Sequence, residues 1–174
     1  MNGIVVYATC YGSTRQYADW ISDALGYEVR DFKDVTDDEL AVADIVIIGS
    51  WVLAHRLYLD KWIREKRDLL RQKHLFLYSV SGAEPGSDEL TAVFEHSVQP
   101  DLLETARTYQ CGGRRETKKM SGTHKFMMWI ATTFIEKDPE KKAEMKQYVD
   151  RVSESYIVPM IEDIRVLTHL NKQR

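Results

Sequence analysis

Apolar runs and helical spacings alternate along most of the chain. Residues 3–8, Gly-Ile-Val-Val-Tyr-Ala, form a β-branched run too continuous for a half-exposed strand and suited to a buried parallel one. From Ser13 to Leu25 the apolar positions take helical spacing (Tyr17, Trp20 or Ile21, Ala24, Leu25), and Gly26 stands where such a helix ends. Residues 28–33 alternate imperfectly and read as an edge strand. Thr36-Asp-Asp-Glu39 is a capping box opening a short helix. Residues 44–49 repeat the first apolar pattern; 50–57 read as a loop, and 58–72 as a helix with Trp62, Ile63, Leu69 and Leu70 inward. Residues 74–80 make a third buried strand. After a loop at Ser81–Gly86, Ser87 or Asp88 caps a helix to about Val98. Residues 104–111 alternate as an outer strand does, and Gly112-Gly113 end it. Asp138-Pro139 then opens a last helix through Met145, Val149, Val152, Tyr156, Met160, Ile164 and Leu167, which Pro159 should kink or split.

Strands alternating with helices predict parallel pairing, right-handed crossovers and helices on both faces. One domain over residues 1–174 accommodates the whole pattern, with an extra segment at about 114–137 before the last helix. In open sheets of this kind ligands bind beyond the carboxyl ends of the strands, which selects loops 9–14, 50–57, 81–87 and 111–124.

Composition narrows the function classes. With 44% apolar and 29% charged residues the 174-residue chain is globular in character. A net charge of −3 argues against a nucleic-acid-coating protein. The longest nearly unbroken apolar run, Phe126–Ile135, is too short to span a bilayer, and the first residues lack an export-leader pattern. Two cysteines make no disulfide framework, so a reduced cytoplasmic setting is expected. The five histidines show no metal-ligand spacing, and no metal site is predicted.

Loop 9–14, Thr-Cys-Tyr-Gly-Ser-Thr, lies between the first strand and the first helix. A helix N-terminus offers unpaired amides and a positive dipole end to a phosphate, Gly12 permits a tight wrap, and Thr9, Ser13 and Thr14 add hydroxyls. Having neither a lysine nor a second glycine, it is not a nucleoside-triphosphate loop or a dinucleotide fingerprint.

Ile4-Val-Val-Tyr-Ala-Thr-Cys-Tyr-Gly-Ser-Thr-Arg15 resembles the T-x-x-G-x-T phosphate loop of flavodoxins, and Ile45–Ser50 resembles the strand entering their flavin-flanking loop. The Gly-x-Thr-Arg end of the loop, Tyr-Ser-Val at 78–80 and the long segment Arg114–Lys137 resemble the flavodoxin-like branch that holds menaquinone-dependent protoporphyrinogen IX dehydrogenases. The resemblance implies an α/β three-layer sandwich whose five-stranded parallel sheet has the order 2-1-3-4-5, and FMN as cofactor. It implies that Thr9, Cys10, Tyr11, Gly12, Ser13 and Thr14 wrap the phosphate. Ser50, Trp51, Val52, Leu53 and Ala54 would run along one side of the isoalloxazine, and Ser81, Gly82, Ala83 and Glu84 along the other. Cys10 and Tyr11, and the weak acidity of the chain, depart from electron-carrier flavodoxins, which dock on basic partners.

Individual residues carry two readings each. Trp51 is either an indole flanking the ring or a cap on the core. Cys10, beside a helix N-terminus that lowers a thiol pKa, is either redox-active or a small polar loop residue. His55 and Arg56 either face reduced flavin or a substrate carboxylate, or are solvated. From Arg107 to Lys137 seven basic and two acidic residues give a local charge of +5, and Phe126-Met-Met-Trp-Ile130 follows the basic cluster. This stretch is an ordinary packed or dimer-interface helix, a site for a tetrapyrrole or quinone, or a contact with the inner face of an anionic membrane. No catalytic acid–base pair is visible. The leading expectation is an FMN-dependent oxidoreductase that passes electrons from a reduced tetrapyrrole to a quinone. The alternatives are a non-enzymatic electron carrier that meets a redox partner protein, and a flavin-free scaffold domain.

Overall fold

A computed structural model describes residues 1–115 and 148–172. The chain runs β1 (Gly3–Ala8), α1 (Ser13–Leu25), β2 (Glu28–Asp31), α2 (Asp37–Val42), β3 (Ile45–Leu53), β4 (Arg56–Leu57), α3 (Asp60–Glu65) and α4 (Arg67–Leu70). It continues through β5 (His74–Ser81), α5 (Asp88–Ser97), α6 (Pro100–Leu103), β6 (Arg107–Gly112) and β7 (Arg114–Arg115). After residue 147 come β8 (Val149–Asp150), a 3-10 turn at Glu154–Tyr156, and α7 (Val158–Lys172). The main sheet has the order β2-β1-β3-β5-β6, all parallel, with β4 hydrogen-bonded antiparallel to the end of β3. The five parallel strands thus take the predicted order 2-1-3-4-5. β7 and β8 pair antiparallel in a separate ribbon.

Strand alternation sorts the core into two layers. Ile4, Val6, Val46, Ile48, Leu75 and Leu77 face α2 to α6, where they meet Leu40, Ile63, Leu70, Val93, Phe94 and Leu102. Val5, Tyr7, Ile45, Ile47, Phe76, Tyr78 and Val80 face α1 and α7, meeting Tyr17, Ile21, Met160 and Ile164. Each fully buried branched side chain contributes about 1.5–3 kcal/mol of transfer free energy. This explains why the central strands are continuous apolar runs, whereas β2 at the margin is only partly buried.

Two capping signals read from the sequence hold, whereas Ser87 occupies the N-cap of α5 without a side-chain capping bond. Gly26 closes α1 in the left-handed region (φ 72°), its amide donating to the Ser22 carbonyl. Thr36 forms the full capping box with Glu39 on α2. Four expectations fail. Residues 50–57 are not a loop: β3 continues to Leu53 and turns at Ala54-His55 into β4, so the branched Val52 and Leu53 extend the sheet. The helix expected at 58–72 is two short helices divided at Lys66 (φ −92°, ψ 7°), whose ammonium reaches the Asp37 carboxylate at 2.6 Å. The fourth long strand begins at Arg107, because Pro100, Asp101 and the two leucines form α6 first. Finally, residues 149–157 are not α-helical. Pro159 falls in the first turn of α7, where a missing N–H and a fixed φ are tolerated, so it starts a helix that the periodicity ran straight through. The expected helix start at Asp138-Pro139 and the readings attached to residues 116–137 lie outside the described residues.

Candidate functional site

The register of the sheet brings the candidate loops together. Ala8, Ser50 and Ser79 lie in one row across β1, β3 and β5; Trp51, Val80 and Cys111 lie in the next, and Ser81 pairs with Gly112. Thr9–Gly12 therefore leaves β1 beside Ser50 and Trp51, and the 81–87 loop leaves β5 beside the end of β6.

Gly12 caps α1 at φ 90° and ψ −17°. A Cβ there would meet nothing within 4 Å, so the glycine answers to the backbone angle and not to space. Its amide donates to Thr9 Oγ1 at 2.9 Å, and its carbonyl accepts from Gln16 N at 3.0 Å. The first turn carries no acidic side chain. Amides at the start of any helix lack intrahelical acceptors, so this end is a donor array without repelling charge. Ser13 and Thr14 are buried in the first turn. Tyr11 and Gly12 are exposed, and Cys10 is half-buried. Burial pushes the Cys10 thiol up, against the lowering expected at a helix N-terminus. A thiolate at neutral pH is thus disfavoured.

Two buried tyrosines brace the site, Tyr78 at the loop and Tyr17 at the end of β6. Tyr78, fully buried, donates from its hydroxyl to the Thr14 carbonyl at 3.0 Å. It fits because residue 49, its neighbour on β3, is glycine: a Cβ on Gly49 would fall inside the Tyr78 ring and hydroxyl, 2.6 Å from Cε1. Gly49, expected to mark a strand end, instead lies mid-strand and makes room for this brace. Tyr17 of α1 donates to the Gly112 carbonyl at 2.7 Å and accepts from Ser153 N at 3.1 Å. Burial raises both phenols above the usual tyrosine range, and it pushes the buried Cys111 thiol up to about 12.

The β3–β4 hairpin forms one wall. Ser50 turns into the core, where its Oγ accepts from Leu59 N at 3.2 Å and donates to the Trp51 carbonyl at 3.0 Å. Trp51 stacks on Tyr58 (centroids 4.8 Å, planes 21°), and Phe32 meets Tyr58 edge-on at 6.0 Å. Val52 and Leu53 are half-buried. Ala54 (φ 49°) and His55 (φ 60°) form the turn, both left-handed without being glycine. Arg56 is exposed and pairs with Asp60 at 3.1 Å. On the opposite side, Ser81 Oγ accepts from Ala83 N at 3.1 Å and Glu84 is exposed.

A clasp that the sequence reading missed joins these parts. Gly113 N donates to the Ser81 carbonyl at 2.6 Å, Arg114 N to Ser13 Oγ at 3.2 Å, Arg151 N to the Gly113 carbonyl at 3.2 Å, and Arg151 Nη1 to the Gly82 carbonyl at 2.7 Å. The Arg114 guanidinium is held by Asp150 at 2.8 Å. Only the Gly112-Gly113 pair hinted at this close approach: a Cβ on Gly112 would lie 2.6 Å from Arg151 Cβ, and closer still to the Arg151 carbonyl oxygen.

A doubly wound parallel sheet with a hydroxyl-bearing loop at the head of its first helix defines an open α/β protein with its site at the carboxyl edge. The model of the flavodoxin domain family matches residues 4–151, and the chain belongs to that family. In fold the chain is similar to the two-electron reduced flavodoxin of Megasphaera elsdenii, with 21% identity, 63% of this chain and 82% of that one covered, and a TM-score of 0.50. It is also similar to a flavodoxin from the domain Archaea (22% identity, 63% and 85% covered, TM-score 0.43). A flavoprotein from Lactobacillus acidophilus, solved in complex with FMN, gives 10% identity, 64% and 91% covered, and a TM-score of 0.47. No significant match is found among curated proteins. Among the described residues no helix is long and apolar enough to cross a membrane.

Proposed function

We propose that the chain is a single flavodoxin-like domain that binds FMN and works as a flavin-dependent redox protein. The observation that carries the reading is the start of α1 in a chain of this family. Gly12 wraps the backbone at φ 90°, the first turn has no acidic side chain, and Ser13 and Thr14 supply hydroxyls. This donor set fits a phosphate monoester: amides and hydroxyls donate, and the dipole end favours the anion. Thr9, Cys10, Tyr11, Gly12, Ser13 and Thr14 would hold the phosphate. Trp51, braced on Tyr58, with Val52, Leu53 and Ala54 would line one side of the ring, and Ser81, Gly82, Ala83 and Glu84 the other. When bound, the flavin supplies reversible one- and two-electron chemistry. The protein would orient it between these two walls.

Within this proposal the substrate reading is a protoporphyrinogen-type reduced tetrapyrrole as donor and a quinone as acceptor, supported by the local charge of +5 between Arg107 and Lys137. Basic side chains there would meet carboxylates, and the methionines and aromatics a planar apolar ring system. Family membership supports the carrier reading equally. Protein reconstituted with FMN, mixed with protoporphyrinogen IX and a menaquinone analogue, separates the two. Catalytic loss of the porphyrinogen supports the enzyme. Rapid reduction by a flavodoxin reductase without porphyrinogen turnover supports the carrier. Ser13→Asp, which puts a carboxylate in the anion cradle, lowers FMN affinity at least tenfold if the phosphate reading holds.

A further inference from the structure

Arg151 stands where the ends of β5 and β6 meet the ribbon. Its guanidinium Nη1 holds the Gly82 carbonyl at 2.7 Å, and its amide holds the Gly113 carbonyl at 3.2 Å. It is half-buried, and its backbone presses on the face of Gly112 that carries no side chain. The loop it grips is otherwise held by a few backbone-amide bonds and by Ala83 packing against the core. Gly82 has no side chain; Gly113 N donates to the Ser81 carbonyl and Ala83 N to Ser81 Oγ, and further along Gly86 N donates to Gln110 Oε1 at 2.7 Å. One residue before Arg151, Asp150 fixes Arg114, whose amide reaches Ser13 Oγ at the head of α1. Residues 112–114 and 150–151 thus connect the phosphate loop to the loop on the other side of the candidate ring site through five hydrogen bonds or ion pairs.

We propose that Arg151 is a positioning residue for the 81–84 loop: it fixes the Gly82 carbonyl so that the loop keeps the spacing a flat ring needs against the β3–β4 hairpin. This rests on the flavin reading for its ligand and on geometry alone for its mechanism. A planar guanidinium on a carbonyl is a charge-assisted hydrogen bond, stronger and more directional than a neutral one, and it defines the plane of the peptide it holds. Arg151 acts on the ring end of the ligand and leaves the helix amides that face the phosphate untouched.

The test compares Arg151→Gln and Arg151→Lys with the unaltered protein, using FMN and inorganic phosphate as separate probes. In Arg151→Gln the FMN dissociation constant rises at least tenfold, that of inorganic phosphate changes less than twofold, and the visible circular dichroism of bound FMN changes shape. Arg151→Lys restores part of the FMN affinity. Equal weakening of both probes, or unchanged FMN affinity, overturns the proposal. A second readout needs no flavin: hydrogen exchange of the Ala83 amide accelerates at least tenfold in Arg151→Gln while that of Val5 in β1 does not. Should the unaltered protein take up no FMN, the flavin reading fails alone, and Ala83 exchange decides for or against Arg151 as the support of this loop.

Discussion

Replacing Gly49 by alanine tests how the floor of the candidate site is built. The new Cβ would sit within 2.6 Å of Tyr78 Cε1, with Cζ and the hydroxyl oxygen closer still. Carbon atoms in contact prefer about 3.5–4 Å, so the ring must retreat by about 1 Å or more. It has nowhere to go, being fully buried with Tyr17 edge-on at 6.2 Å. Overpacking of this kind costs about 1–3 kcal/mol. Retreat also takes the hydroxyl off the Thr14 carbonyl, and stranding a buried polar group costs about 1–3 kcal/mol more. The expected loss is about 4 kcal/mol, a large part of the roughly 5–15 kcal/mol that holds a domain together. Urea unfolding followed by far-ultraviolet circular dichroism measures it. The three overlapping atoms all lie beyond the Cδ positions, so Tyr78→Leu removes them; in that background Gly49→Ala should cost less than about 1 kcal/mol. A loss below about 1 kcal/mol in the unaltered background, or an equal loss in both, would refute the reasoning.

Other substitutions follow from particular contacts. The hairpin turn holds Ala54 and His55 left-handed, so Ala54→Asn combined with His55→Gly supplies the residues that turn prefers; it should stabilise by about 1 kcal/mol and raise Tm by about 2–4 °C. Thr36→Ala removes the Oγ1 acceptor of the Glu39 amide, one arm of the α2 capping box, and should lower stability by about 1 kcal/mol in the same urea assay. The Cys111 thiol, with its folded pKa raised to about 12, stays protonated in the native state after the unfolded chain has begun to ionise near its usual value. Stability from this group is therefore complete below the unfolded pKa and declines as pH rises from about 9 toward 12. Urea titrations at pH 8, 9 and 10 should show the decline, and Cys111→Ala should flatten its onset; an unchanged slope would contradict the assignment.

How far the site was legible in the sequence depends on the range of the contacts involved. The start of α1 and the capping box are local, written within a few residues, and both stand as read. The order of the parallel strands came with the family resemblance and also holds. The β3–β4 hairpin was missed because Ala-His carries none of the glycine or asparagine that usually announces a left-handed turn. Pro159 was read as a break in a long helix because apolar spacing continues across it; only the structure shows strand, extended chain and a 3-10 turn over residues 149–157 before the helix begins. The clasp of residues 112–114 on 150–151 joins positions that no local pattern connects. Gly112-Gly113 was its trace, and it was read as a strand end. Trp51 was selected for its side chain and position, but its stacking partner Tyr58 lies across the hairpin and became visible only once the turn was known.

The most direct measurement is the visible absorption spectrum of the purified chain after incubation with FMN and removal of unbound flavin, with riboflavin as the matched control. The account predicts retained flavin bands with FMN and much weaker retention with riboflavin, which lacks the phosphate that the head of α1 would hold. A folded protein that retains neither, or that retains both equally, would contradict it.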